Sequence, residues 1–454
     1  MAVTQERLFI RARPLGLLWL VLVGAASAGF LVLMDRTTYD TWGAVVIAPI
    51  LLSVSIPALR HQAAREGDPR LFRLLMWALV LKLGASLVRY FVAFAVYGTG
   101  DSLRYMNDGA MLATQFHRFD FAVGPITGTG FPSFLTGLVY TVTWPTQLGA
   151  FLVFSWIAFW GLFLFYRAFT IAVPEGRRTT YARFVFFMPT LLFWPSSVGK
   201  EAWMLFGLGL AAFGAARLFT AGVTKAVVPT LLGIGATALV RPPVAAMIAG
   251  AVVVGFVLRP SRPQQGELAI VFKVIVLIGC AVGMLFLVRL TNNFLARAGV
   301  NEEGGITDTM QNTMFRTQEG GSQFQASVLD RPSEVPVAVI TVLFRPLIPE
   351  ADSIQGLLAA LEGTFLLAWS IWRWRWMWHA ALSIRRQPYV ATALSFTAVF
   401  IFGFSSIANF GILARQRTQV LPFYLVLLAV PTPEWLERHR TQKEAARADA
   451  QPVA

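Results

Sequence analysis

QLGAFLVFSWIAFWGLFLFYRA, residues 147–168, holds a single charged side chain, Arg167, near its end. About 20 apolar residues are what a helix needs to cross the hydrocarbon core of a bilayer. Inside that core the backbone must satisfy its own hydrogen bonds, so such a run is read as a helix. Similar runs recur on both sides of it. Toward the N-terminus they are 74–97, 42–59 and 15–34. Toward the C-terminus they are 184–197, 202–218, 226–241, 242–258, 268–288, 353–372, 388–411 and 418–433. Together they predict an all-α polytopic integral membrane protein with about 12 transmembrane helices, both ends on one side. The pairs within 184–218 and 226–258 are short for full crossings. The run 15–34 contains Ala26-Ser27-Ala28, a match to a signal-peptidase site. It stays apolar beyond that point, so it is assigned as an uncleaved first helix.

Composition agrees with this pattern. The chain is 56% hydrophobic and 14% charged, with mean hydropathy +0.61, against roughly 25% charged for a soluble domain. This excludes a soluble multi-domain enzyme, a disordered chain and a fibrous repeat. A net charge of +14 on a soluble protein would point to nucleic acid. On a polytopic one it reflects cytoplasmic loops that collect Lys and Arg, so no nucleic-acid partner is expected. Arg60, Arg65, Arg70 and Arg73, then Arg177, Arg178 and Arg183, then Arg373, Arg375, Arg385 and Arg386 all fall on the side of the basic N-terminal segment. Both termini are therefore expected in the cytoplasm, in a cytoplasmic (inner or plasma) membrane. Cys280 is the only cysteine, which rules out a disulfide within the chain.

The organisation expected is N-terminal transmembrane helices over 1–97, an acidic extracytoplasmic loop over 98–146 and a transmembrane core over 147–288. A second extracytoplasmic loop over 289–352, C-terminal transmembrane helices over 353–433 and a cytoplasmic tail over 434–454 follow. Phe131–Trp144 is apolar but too short to cross comfortably, which suits a re-entrant or interfacial helix.

A charge at the bilayer centre costs roughly 2.5–3.5 kcal/mol even on the lenient scale, so charges kept in apolar surroundings need a reason. Many collect at the expected outer side: Lys82, Arg89, Asp101, Arg104, Asp108, Lys200, Glu201, Arg241, Arg415 and Arg417, with Glu362 inside the tenth run. In GTGDSLRYMNDG (98–109) the two carboxylates stand seven residues apart, two helical turns, with Arg104 between them. Asp101 and Asp108 on one face can hold a sugar, activate a hydroxyl or bind a divalent cation such as Mg or Mn. The bland alternative is a solvated loop with a helix cap. FWPSSVGKEAW (193–203) offers backbone N–H groups and Lys200 to an anion, or is an ordinary hairpin turn with a surface ion pair. Arg415 and Arg417 can fork onto a phosphate, or snorkel to headgroups. No HExxH, CxxC, Walker A or GxSxG pattern is present, which argues against a nucleotide-linked donor.

These residues resemble a known family. Gly100-Asp101…Tyr105, the Pro-containing helix at Phe131-Pro132, YRAF (166–169), the acid Glu201 and the base Arg241 follow the order of EpsG-type (Wzy-like) membrane proteins of bacterial exopolysaccharide synthesis. That group is similar to the GT-C superfamily of polytopic glycosyltransferases. The resemblance covers roughly 98–258, and Arg415-x-Arg417 resembles a basic pair for lipid phosphate. It implies a GT-C-like module and a glycosyltransferase, or polymerase, on the extracytoplasmic face. The donor would be a polyprenyl-(di)phosphate-linked sugar or glycan and the acceptor a glycan hydroxyl. On this resemblance Asp101 is the general base, and Asp108 and Glu201 orient the acceptor or bind a metal. Tyr105 and Arg104 contact substrate, with Arg89 beside them. Lys200, Arg241, Arg415 and Arg417 meet the departing phosphate. A transporter or flippase of lipid-linked glycans is the competing expectation, and a non-catalytic subunit of an envelope complex is a third.

Overall fold

The computed structural model describes residues 21, 23–98, 100–259, 266–297, 306–318, 322–326, 331–351, 353–438 and 441. Among them the protein is all-helical with no strand; one isolated bridge joins Gln323 to Asn409. After helical residues 23–36 come α1 (Tyr39–Glu66), α2 (Pro69–Phe91), α3 (Asp101–Phe116), α4 (Gly130–Thr143), α5 (Gln147–Ala172), α6 (Arg178–Phe187) and α7 (Pro189–Phe193). The chain continues through α8 (Lys200–Thr220), α9 (Val223–Val240), α10 (Pro242–Leu258), α11 (Gly266–Arg297), α12 (Ile306–Thr317) and α13 (Val335–Phe344). It ends with α14 (Ile354–Trp372), α15 (Trp374–Leu382), α16 (Pro388–Phe404) and α17 (Phe410–Ala429).

Six helices are long and apolar enough to cross a membrane among the described residues: Tyr39–Glu66, Pro69–Val96, Gln147–Ala172, Lys200–Thr220, Leu277–Phe294 and Ile354–Trp372. This is fewer than the twelve runs expected, and local chemistry explains several differences. The run 184–197 is not one helix: Pro189 has no N–H to continue the ladder, so the chain breaks into α6 and α7 with extended backbone at Met188. The runs 226–241, 242–258 and 388–411 are apolar helices of 17 or 18 residues. Residues 15–20 and 22 of the first run, Gly320 and Gly321, and most of the tail lie outside the described residues. Of Phe131–Trp144, all but Trp144 lies in the 14-residue α4, which packs on α3.

Short sequence signals set the joints. Gly67 takes the left-handed conformation (φ 65°) after α1, and Asp68 caps α2 by accepting the Arg70 N–H at 2.9 Å, with Pro69 in the first turn. Thr146 caps α5 through the Gly149 N–H.

The centre of the fold is α5, α8, α9 and α17. α8 lies between α5 and α9 along a seam of small residues. A Cβ added at Gly209 would stand 2.3 Å from the Gly161 carbonyl oxygen, and one at Gly233 would stand 2.2 Å from the Ala211 nitrogen. Backbones approach this closely only where side chains are absent, the usual way apolar helices gain contact without a hydrophobic drive between them. Gly209→Val should therefore force α5 and α8 apart and cost about 1–3 kcal/mol. The check is the thermal midpoint of the detergent-purified protein, which should fall for Gly209→Val and stay near wild type for Gly235→Val, where the space is open.

α17 is buried almost without interruption from Leu413 to Ala429, although it carries Arg415, Gln416, Arg417 and Gln419. Its last turn is met by the Arg177 N–H, which donates to the Ala429 carbonyl (3.0 Å), and by Arg373, which reaches the Leu428 carbonyl (3.5 Å). Twenty residues span about 30 Å. Arg415 thus stands at the opposite end of the bundle from Arg177 and Arg373.

Candidate functional site

Four elements converge at the Arg415 end. α2 loosens there: after Arg89 the helix widens into a π turn, Val92–Val96. Single π turns of this kind recur where a helix must present a side chain out of register. Beyond it α3 starts at Asp101, and the turn Trp194–Gly199 leads into α8 with Glu201 in its first turn. The first turns of α17 bring Asn409, Gly411, Ile412 and Arg415. Together they enclose a cavity of about 300 Å³, with Arg89, Asp101, Tyr105, Glu201 and Arg415 in its wall beside Phe94, Tyr97 and Trp194.

Glu201 is 3% exposed and its Oε1 accepts from Arg415 Nη2 at 3.0 Å and Nε at 3.2 Å. A two-pronged bond of this kind fixes the plane of the guanidinium. Glu201 thereby holds Arg415 in place through one of its two carboxylate oxygens. Behind the pair, the Arg241 guanidinium donates to the Gln416 side-chain oxygen, which also accepts from Gln419 Nε2 at 2.6 Å. Arg241 backs the cavity and is not in its wall.

Arg89 is held differently. Its guanidinium carbon sits 5.0 Å from the ring centres of both Phe193 and Trp194. Its Nε and Nη1 are buried and have no hydrogen-bond partner among the described residues. Two buried N–H groups without acceptors leave this cation under-satisfied, with Glu201, already paired to Arg415, as its nearby carboxylate.

The wall behind Trp194 is set by Lys82. This lysine is buried, and its Nζ donates to the carbonyls of Leu191 (2.6 Å) and Leu192 (3.0 Å) at the end of α7. Ser155 ties the Lys82 carbonyl (2.7 Å) to Ser196 (3.0 Å). Lys82→Met keeps the length and removes both donors. It should cost about 1–3 kcal/mol in unsatisfied carbonyls, seen as a lowered thermal midpoint and faster proteolysis within 194–199.

α3 faces the cavity with Asp101, exposed at its N-terminus, and with Tyr105, buried one turn later. Burial, and then the neighbouring Asp101 carboxylate, push the Tyr105 phenol above its usual range. It therefore stays protonated and able to donate. Ser102, which the sequence did not single out, donates to the Val198 carbonyl (2.8 Å) and pins α3 to the α8 turn.

The structure separates some residues that the sequence grouped. Asp108 and Arg104 line a second cavity, of about 440 Å³, and Asp108 accepts from Ser133 at 2.9 Å. Asp101 and Asp108 thus open into different cavities, and among the described residues no group of three or more His, Cys, Asp or Glu stands together to hold a metal ion. Arg417 turns away from Arg415: its Nε donates to the Val342 carbonyl at 3.1 Å and its Nη2 to the Arg345 carbonyl, so it anchors α13. Residues i and i+2 of a helix do not share a face, so the expected phosphate fork from Arg415 and Arg417 does not form. Lys200 begins α8 and is outside the cavity wall. Glu362 accepts the Thr190 N–H at 2.6 Å and caps α7.

Residues 322–326 pack against the start of α17. Phe324 N–H donates to the Ala408 carbonyl and Phe410 N–H to the Ser322 carbonyl, both at 3.0 Å. The Phe324 and Phe410 rings stack at 4.3 Å beneath the Arg345 guanidinium. Residues 322–326 are thus strapped across the start of α17. No family model, curated protein or solved structure matches this chain.

Proposed function

We propose that this protein is a membrane glycosyltransferase that takes a sugar or glycan from a polyprenyl phosphate or diphosphate on the extracytoplasmic face of the cytoplasmic membrane. The observation that carries this reading is that Arg89, whose Nε and Nη1 have no hydrogen-bond partner among the described residues, lines one cavity together with Asp101 and Arg415. Arg89, Lys200, Arg241 and Arg415 outnumber Asp101 and Glu201 around this cavity, so an anionic ligand would complete the charge balance. Phe94, Tyr97 and Trp194 give the same cavity an apolar side suited to the first isoprene units or a sugar face.

In the reaction the acceptor hydroxyl gives its proton to Asp101 while its oxygen attacks the anomeric carbon of the donor. The bond from that carbon to the phosphate oxygen breaks, and the electron pair leaves with the phosphate. The charge that develops there is met by Arg415, oriented by Glu201, and by Arg89. Tyr105 donates to a ligand oxygen. Membrane helices keep the lipid tail and the reacting head together. On this reading the Arg177 and Arg373 end of the bundle faces the cytoplasm, the side expected for both termini.

The test uses purified protein in detergent with lipid-linked precursors extracted from the host membrane. Release of polyprenyl phosphate or diphosphate with elongation of an added glycan supports the reading. Arg89→Gln should raise KM for the lipid donor about tenfold, the size of one lost charged hydrogen bond. Movement of the intact precursor across a vesicle, with no bond broken, would replace transferase by transporter.

A further inference from the structure

α3 carries a stripe of polar residues, Asp101, Arg104, Asp108 and Gln115, at spacings of three, four and seven that keep them on one helical face. Asp101 opens into the first cavity; Arg104, Asp108 and Gln115 open into the second. At 1.5 Å per residue the stripe runs about 10 Å from Asp101 to Asp108 and about 20 Å to Gln115. The two cavities are therefore successive stations along one helix.

The second cavity has its own chemistry. Asp108 supplies acceptors, one of them already held by Ser133, Arg104 supplies a fixed fork of donors, and the Gln115 amide supplies both. Phe134 and Ile126 give it an apolar wall. A lipid tail would strand the charges, and an anion would meet Asp108. A sugar ring matches the set, with hydroxyls at its edge and C–H groups on its faces. The far wall, 123–130, is fixed: the Gly128 N–H donates to the Leu239 carbonyl at 2.8 Å, two residues before Arg241. A Cβ at Gly130 would lie 2.2 Å from the Pro125 carbonyl oxygen, so this wall admits no side chain there. The second cavity is thus tethered to the same turn that backs Arg415.

We infer that the second cavity is a subsite for the acceptor glycan, holding sugar units behind the hydroxyl that reacts at Asp101. This rests on the glycosyl-transfer reading of the first cavity and adds a substrate class, an oligosaccharide longer than one unit. It makes the protein length-selective: acceptors long enough to reach Asp108 and Gln115 are preferred over single sugars.

The experiment uses size-fractionated oligosaccharides from partial hydrolysis of the host's surface polysaccharide. They serve as acceptors with the lipid-linked donor and, separately, as free ligands in calorimetric titration. Wild type should prefer long acceptors in kcat/KM, and that preference should fall roughly tenfold in Asp108→Ala and in Gln115→Ala. Gln115 is exposed, so its variant folds even if Asp108→Ala does not. A length preference that survives in Gln115→Ala and in folded Asp108→Asn overturns the inference. If no transfer occurs but long oligosaccharides bind wild type and not the two variants, the subsite stands and the transferase reading falls. Binding lost only in Arg89→Gln or Arg415→Gln would place the glycan in the first cavity and overturn the subsite.

Discussion

On the proposed transferase reading, Asp101→Asn should abolish glycan elongation while the protein is still made and inserted at wild-type level. Removing a general base costs about 10²–10⁴ in rate. The structural cost is small because Asp101 is exposed, and the lost favourable term is its charge at the start of α3, about 0.3–1 kcal/mol. The amide keeps the shape and cannot take the proton. The measurement is surface polysaccharide and lipid-linked precursors analysed together in a deletion strain carrying either gene. Polymer should disappear and short lipid-linked units should collect on the outer leaflet. Units on the inner leaflet would mean that the protein moves them. Full polymer from Asp101→Asn would remove this carboxylate from the reaction.

The second large effect is at the buried pair. Arg415→Gln leaves Glu201 as an uncompensated carboxylate that is 3% exposed, and Glu201→Gln leaves Arg415 without its orienting partner. Breaking a buried pair from one side costs several kcal/mol; here about 3 kcal/mol is expected, because the Arg415 side chain is still 34% exposed. The double variant Glu201→Gln with Arg415→Gln should recover most of that stability, since neither charge is stranded. On the proposed reading it should recover no transfer activity, since the cation assigned to the phosphate is gone. Thermal midpoints and precursor turnover on the four proteins separate the two roles. A double variant as active as wild type would show that Arg415 only holds the fold together.

Much of this arrangement was legible in the sequence because charges kept against apolar flanks must have partners. Asp101, Glu201 and Arg415, more than 300 residues apart along the chain, were picked out that way and meet at one cavity. What was not legible was direction and partnership. Arg415 and Arg417 look like a fork in one dimension, and about 200° of helical rotation puts them on different neighbours. Asp101 and Asp108 share a stripe, yet the walls from α8 and α4 divide it into two cavities. Lys82 was visible as a buried cation, but its acceptors are backbone carbonyls 109 and 110 residues away, and carbonyls have no sequence signature. Gln416, which links Arg241 to Gln419, had one available signal: a polar run, RQRTQ (415–419), inside a buried helix. The break within 184–197 was not legible either, because hydropathy averages over the proline at Met188-Pro189.

Three consecutive residues of α17 answer to three separate parts of the chain: Arg415 to Glu201, Gln416 to Arg241, and Arg417 to the carbonyls of Val342 and Arg345. This turn is therefore expected to vary as a block. Substitutions at 415 and 416 should be matched by changes at 201 and 241, whereas 417 hydrogen-bonds to backbone carbonyls and has the Glu362 carboxylate as its charged neighbour. On the glycosyl-transfer reading, a drift in sugar specificity would then appear first at the second-cavity side chains Asp108 and Gln115, which lie outside that block.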